Sequence, residues 1–247
     1  MKLKALILDE SKFDRIIAIG DLHGIAEPLY RLIDKLNPTD SDALIFIGDY
    51  IDRGPQSKEV IEKLLELKMK HNSVYFLMGN HEDMLLGSVG FPAVVSNFDT
   101  WMYNGGSATL RSYGMGADEI LNLARMWNDA ERGNRIIDLI PESHMEFFKS
   151  LYLYIETGNY FFCHAGISPH KTVEEGKQST FDLLWIREHI GANNLKWEKK
   201  VICGHTPLED VLVSDKLICI DTGLYYYGLL SAIDVVSGEI FQVRGNF

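Results

Sequence analysis

Short runs of β-branched and other apolar residues alternate, along the first third of the chain, with stretches whose apolar positions recur every three to four residues. Arg15-Ile16-Ile17-Ala18-Ile19, Ala43-Leu44-Ile45-Phe46-Ile47 and Val74-Tyr75-Phe76-Leu77-Met78 have strand length, and each stops at a glycine: Gly20, Gly48 and Gly79. Between them, Leu29, Leu32, Ile33 and Leu36, with Pro28 in a first turn, mark one helix; Val60, Ile61, Leu64, Leu65 and Leu67 mark a second. This alternation predicts β-α-β units and a largely parallel sheet. From about 85 to 140 the pattern changes. Gly, Asn, Met and aromatic residues become frequent, helical spacing shows near 119–127, and no β-α alternation remains, which predicts a helical cap inserted into the domain. After Pro141 the pattern predicts a helix over 144–151. Strands over 160–163, 201–203 and 217–220 come next, then a hairpin over 229–243 turning at Ser237-Gly238. These later strands predict a second, mixed sheet packed against the first. The expected fold class is therefore α/β (α+β): a four-layer α-β-β-α sandwich of two mixed sheets with a helical cap insertion. A single domain over 1–247 is expected, with the insertion at about 85–140.

Composition narrows the function classes. With 247 residues, 46% hydrophobic and 24% charged, the chain suits a folded globular protein with a full core. A formal net charge of −11 makes a general nucleic-acid-binding surface a poor expectation, so an anionic substrate needs a local cationic site. Three cysteines, Cys163, Cys203 and Cys219, with no C-x-x-C pair, suggest buried thiols in a reducing compartment. The apolar run Ala5–Leu8 is too short for a signal-peptide core, and no run of 18 apolar residues suggests a membrane span. The expected location is cytoplasmic, with no nucleic-acid or membrane partner; the oligomeric state stays open.

The candidate chemistry lies in the turns after the predicted strands: Gly20-Asp21-Leu22-His23-Gly24, Gly48-Asp49-Tyr50-Ile51-Asp52-Arg53-Gly54, Gly79-Asn80-His81-Glu82, Cys163-His164-Ala165-Gly166 and Cys203-Gly204-His205. Ligands of open sheets bind outside the carboxyl ends of the strands, so one edge collects Asp21, His23, Asp49, Asn80, His164 and His205. Mixed carboxylate, imidazole and amide donors suit Mn, Fe or Zn better than calcium or a thiolate zinc site. Six donors exceed the need of one catalytic metal, whereas two metals sharing a carboxylate use them all. Taken singly, each motif has a plainer reading: Asp-x-His-Gly as a turn, Asn80 or Glu82 as a helix cap, His164 as a core histidine. Five such turns in one order are hard to assign to chance. The remaining histidines, His71, His144, His170 and His189, read as surface or packing residues.

These motifs, in this order and spacing, resemble the phosphoprotein-phosphatase branch of the calcineurin-like metallophosphoesterases, and they span most of the chain. The resemblance implies that Asp21, His23 and Asp49 hold a first metal, with Asp49 bridging to a second completed by Asn80, His164 and His205. It implies His81 as general acid oriented by Asp52, Arg53 gripping phosphate beside Asn80, and Arg187 of Leu184-Trp185-Ile186-Arg187 as a second phosphate-binding arginine. Two divalent ions, manganese first and iron or zinc as alternatives, would outweigh Asp21 and Asp49 and leave a pocket able to take a phosphate dianion. The bridging hydroxide such a pair supplies attacks phosphorus, and the basic leaving oxygen needs a proton. The expected activity is phosphomonoester hydrolysis, foremost of phosphoserine or phosphothreonine in a phosphoprotein, or of a small phosphoester. The HAGIxP run at 164–169 also occurs in symmetrical diadenosine tetraphosphatases, the alternative reading; a third is an inactive binding scaffold. No Cys-x5-Arg and no G-x-x-x-x-G-K-[ST] occurs, which disfavours cysteine-phosphatase and P-loop chemistry. In the expected cap, Trp101-Met102-Tyr103-Asn104-Gly105-Gly106 and Thr109–Gly114 border the substrate cleft by resemblance, with Asn104 and Arg111 as residues that could meet substrate. Each aromatic there reads equally well as packing.

Overall fold

The computed structural model describes residues 4–245. Its strands are β1 (Lys4–Ile7), β2 (Arg15–Ile19), β3 (Asp42–Phe46), β4 (Val74–Phe76), β5 (Tyr152–Glu156), β6 (Tyr160–Cys163), β7 (Lys200–Cys203), β8 (Leu212–Val213), β9 (Leu217–Cys219), β10 (Leu229–Asp234) and β11 (Ile240–Arg244). They form a five-stranded sheet in the order β11-β10-β2-β3-β4 and a six-stranded sheet in the order β1-β5-β6-β7-β9-β8. Strands β2, β3 and β4 run parallel, with Ile17 opposite Leu44 and Leu44 opposite Val74; β6, β7 and β9 run parallel in the other sheet.

Apolar residues run continuously in these strands because both faces are covered. Ile16, Ala18, Ala43, Ile45 and Ile233 of the first sheet meet Ile155, Phe162, Ile202 and Ile218 of the second in one buried layer. The alternate residues Ile17, Ile19, Leu44 and Phe46 face outward, where they join Leu29 and Leu32 of α1 (Ala26–Leu36) and Val60, Ile61 and Leu64 of α2 (Ser57–Lys70). On the far side Phe161, Val201 and Leu217 pack with Leu183, Leu184 and Trp197. Four layers result, as the sequence pattern predicts.

Three details depart from that pattern. The hairpin of β10 and β11 forms, but β10 pairs antiparallel with β2 and so completes the first sheet rather than the second. All six residues of β10 are buried, and either sheet offers such a place, so periodicity alone does not choose between them. The third strand ends at Phe76: Leu77 bridges to Tyr152 and the Met78 N–H donates to the Tyr152 carbonyl (2.8 Å), tying the two sheets together. The Ala5–Leu8 run supplies an edge strand, β1, parallel to β5.

Residues 80–150 are helical: α3 (Asn80–Ser88), α4 (Phe98–Trp101), a π turn over Met102–Gly106, α5 (Ser107–Ser112), α6 (Ala117–Ala124), α7 (Asp129–Leu139) and α8 (Glu142–Ser150). The helical signal near 119–127 is α6, which stops short of the fully exposed Trp127. Three short helices come later, α9 (Val173–Gly176), α10 (Thr180–Trp185) and α11 (Leu224–Tyr227). Among the described residues no helix is long and apolar enough to cross a membrane.

Candidate active site

The carboxyl ends of β2, β3 and β4 from one sheet, and of β6, β7 and β9 from the other, open on the same place. The turns at these ends are tight. Of the six non-glycine residues with positive φ among the described residues, five lie here: His23 (44°), Asp49 (52°), Asp52 (70°), Arg53 (68°) and His205 (63°). Left-handed backbone costs an L-residue roughly 1–2 kcal/mol, and such strain gathers where side chains are held for a purpose. Gly48 (φ 109°) permits a close approach: a Cβ there would lie 2.7 Å from the Gly79 nitrogen. Gly79 in turn leaves room for the Asp49 carboxylate.

Two triads of ligating atoms share Asp49. His23, Asp49 and His81 form one, and Asp49, His164 and His205 the other; within each, the atoms lie within 4.8 Å of one another. His23 donates from Nδ1 to the Ile51 carbonyl (3.2 Å) and His164 from Nδ1 to the Ile47 carbonyl (2.9 Å), which leaves each Nε2 as an acceptor. His164 Nε2 then faces Asn80 Oδ1 (2.9 Å) and His205 Nδ1 (3.2 Å), with Asp49 Oδ1 at 3.4 Å. Asn80 Oδ1 is also 2.8 Å from His205 Nδ1. Converging lone pairs on buried N and O atoms are the donor set of a cation. The electrostatics agree. Burial, together with Asp221 and Asp49, pushes Asp21 well above the usual carboxylate range; burial and Asp49 push Asp221 up to about 6. Burial and neighbouring cationic groups hold His23 and His205 well below the ordinary histidine value, in the neutral form that ligates metal. Asp49 is the exception among the acids: burial opposes its charge, but His164, His81 and His23 hold it well below the usual range. The residues fit a pair of divalent ions, with Asp49 common to the two candidate ligand groups.

Not every expected residue stands in these triads. Asp21 is buried in the same pocket, but its oxygens accept from the His205 backbone N–H (3.1 and 3.4 Å). Arg187 is exposed just beyond α10, and its charge helps depress His205. Arg53 does make contact, with Nη1 3.0 Å from His23 Nε2 and Nη2 3.1 Å from His81 Nε2.

His81, at the second position of α3, lies with Nδ1 2.7 Å from Asp52 Oδ2. Burial disfavours its charge, yet Asp49 and the Asp52 hydrogen bond outweigh burial and raise its pKa. Asp52 is held in turn by the helical segment. Trp101 Nε1 donates to both of its oxygens (2.9 and 3.1 Å) and Thr109 Oγ1 donates to Oδ1 (2.6 Å). In the sequence Trp101 reads as a packing aromatic, and this contact is missed. The only signal there is an indole and a hydroxyl in runs near the expected cleft, with nothing to say where they point. Glu82, a possible cap by sequence, does cap α3 at Gly79; it also accepts from the backbone N–H of Asp49 (3.0 Å) and Tyr50 (2.8 Å), which locks the bend of that loop. Asp221, after β9, stands outside every motif of the sequence and emerges only from the fold.

A hydrogen bond to a carboxylate contributes about 1.5–3 kcal/mol, and a buried acceptor that loses its donor costs a similar amount. Thr109→Val keeps the side-chain shape and removes the hydroxyl, so it is expected to lower unfolding free energy by about 1–3 kcal/mol, read from urea melts. Unchanged melts would mean that the Asp52 cluster carries no weight.

The sequence profile of the calcineurin-like phosphoesterases matches residues 14–238, and the chain belongs to that family. It is a metallophosphoesterase, of a family that works with a dinuclear metal centre. Among its relatives is the asymmetrical bis(5'-nucleosyl)-tetraphosphatase PrpE of Oceanobacillus iheyensis, 26% identical across 94% of this chain and 93% of that protein. The fold is shared with the crystal structure of a candidate diadenosine tetraphosphatase (TM-score 0.69, 20% identity, 99% of each chain). It is also shared with a serine/threonine phosphatase of Saccharomyces cerevisiae that has similarity to human PP5 (TM-score 0.62, 17% identity, 99% of this chain and 84% of that one).

Proposed function

We propose that the chain is a two-metal hydrolase of phosphoesters in which His81 is the general acid. The observation that carries this reading is the pair of triads sharing Asp49, with the Arg53 guanidinium touching a histidine of one triad and the imidazole of His81 at once. Asp21, His23 and Asp49 would hold one ion, and Asp49, Asn80, His164 and His205 the other. Bound there, divalent ions bring the pKa of water near neutrality and polarise the phosphoryl oxygens. Arg53 and Arg187 supply the cationic grip that the acidic chain otherwise lacks, and the planar fork of Arg53 matches two phosphate oxygens. Arg53 rests on the His81 Nε2 lone pair, so it must leave that atom for the phosphate before His81 can donate from Nε2. Hydroxide, the water having given one proton to solvent, adds in line at phosphorus, the bond to the leaving oxygen breaks, and that oxygen takes the His81 proton. Asp52, fixed by Trp101 and Thr109, holds Nδ1–H and keeps the ring aimed.

The GDLHG, GDYIDRG and GNHE motifs with the Asp52–Arg53 pair support a phosphoserine or phosphothreonine side chain as substrate, with manganese as the first metal to test. The near full-length match to PrpE supports a second reading, a dinucleoside polyphosphate. Protein stripped with chelator is expected to lose hydrolysis of p-nitrophenyl phosphate and to regain it with manganese, iron or zinc, binding two ions per chain. Turnover that survives chelation would refute the two-metal reading. Running a phosphopeptide and diadenosine tetraphosphate on the reconstituted protein then separates the two substrate classes.

A further inference from the structure

Beside the metal pocket lies a groove of about 480 Å³, lined by Arg53, Tyr103, Asn104, Arg111, Tyr225 and Tyr226 among others. Its volume falls within the usual range of small-molecule sites, about 300–1,000 Å³. Arg53 forms the floor shared by pocket and groove. Its guanidinium touches His23 and His81 on one side, and lies 5.3 Å from the centroid of the Tyr226 ring on the other. Its backbone N–H donates to the Gly105 carbonyl (3.3 Å), fixing the loop that carries Tyr103 and Asn104. The walls are unusual for a surface. Tyr103 is 92% exposed and Tyr225 and Tyr226 are exposed as well, in a groove with two arginines and no acidic lining residue, on a chain of net charge −11. Exposed planar rings beside fixed cations suit a ligand that is itself planar at one end and polyanionic at the other. Asn104, tied through Nδ2 to the Thr100 carbonyl (2.8 Å), keeps its amide oxygen as an acceptor for an exocyclic amine.

We infer that this groove is a nucleoside subsite: it stacks the base of a nucleoside polyphosphate on Tyr103 and the Tyr225–Tyr226 pair, while Arg111 and Arg53 carry its phosphates toward the metal pocket. This rests on the dinucleoside-polyphosphate reading of the substrate. The apolar side chains of a phosphopeptide can also pack on such rings, so that occupant is one outcome of the test.

The test compares kcat/KM for diadenosine tetraphosphate with kcat/KM for p-nitrophenyl phosphate, which has no base, in the manganese-loaded wild-type protein and in Tyr103→Ala, Tyr225→Ala and Tyr103→Phe. Stacking on one aromatic ring is worth roughly 5- to 150-fold. Each alanine variant is expected to lower the dinucleotide-to-aryl ratio by a factor in that range, chiefly through KM, and Tyr103→Phe to retain it. If the wild-type protein cleaves the dinucleotide and the ratio does not move in either alanine variant, the subsite is refuted and the substrate reading stands. If the wild-type protein cleaves p-nitrophenyl phosphate but not the dinucleotide, the substrate reading fails and takes the subsite with it. A fall in phosphopeptide turnover alone would assign the groove to peptide instead.

Discussion

An Asp49→Asn protein is expected to lose its metal and its activity together. Asp49 is the single residue common to both triads, with one oxygen 3.4 Å from His164 and the other 3.6 Å from His23. An amide in its place offers one neutral oxygen where two ions need a charged bridge. Metal assistance supplies several kcal/mol of transition-state stabilisation, and about 4 kcal/mol already corresponds to about 10³ in rate. Elemental analysis of the dialysed variant should therefore find fewer than two ions per chain, and p-nitrophenyl phosphate hydrolysis should fall at least about 10³-fold. Two ions retained at wild-type stoichiometry would remove Asp49 from the bridging position. His81 carries the second large effect, of a different kind. His81→Ala should lower turnover of alkyl phosphates by about 10²–10⁴-fold, as expected when a general acid is lost. Aryl phosphates, whose leaving oxygen scarcely needs a proton, should lose far less. The geometry adds a control, because His81 Nε2 lies 3.9 Å from Asp49 Oδ2 and within one triad. A ligand role predicts loss of metal and equal loss on both substrate types; an acid role predicts full metal content and a steep dependence on leaving group.

Most of the candidate ligand set is legible in the sequence because each of its residues follows a strand within a few positions. A β-branched run that ends at Gly-Asp or Gly-Asn fixes both the element and the end of it that bears chemistry, and parallel pairing brings those ends together. The four layers are legible for a related reason: strands apolar at every position, such as Asp42–Phe46 after its first residue, must be covered on both faces. The features hidden from the sequence depend on long-range placement. Nothing local tells Leu229–Asp234 that its partner is β2, more than 200 residues earlier, rather than the strand just before it. The Trp101 indole and the Thr109 hydroxyl reach Asp52 across 49 and 57 positions, and their periodicity is that of any helix. Tyr225 and Tyr226 carry no signal either, since a cluster of tyrosines after a strand usually reads as packing. Arg187 is legible only as a motif; its exposed place beyond α10 depends on how that short helix ends.

The contacts of Trp101 and Thr109 with Asp52 bear on any attempt to build chimeras on this scaffold. Exchanging the helical segment for that of another phosphoesterase would seem a safe graft, since it contributes no strand to either sheet. Yet the transplanted piece must bring its own indole and hydroxyl to the same spot. Without them, the carboxylate behind His81 is left buried with stranded lone pairs, and the hybrid would fold around a misaimed imidazole.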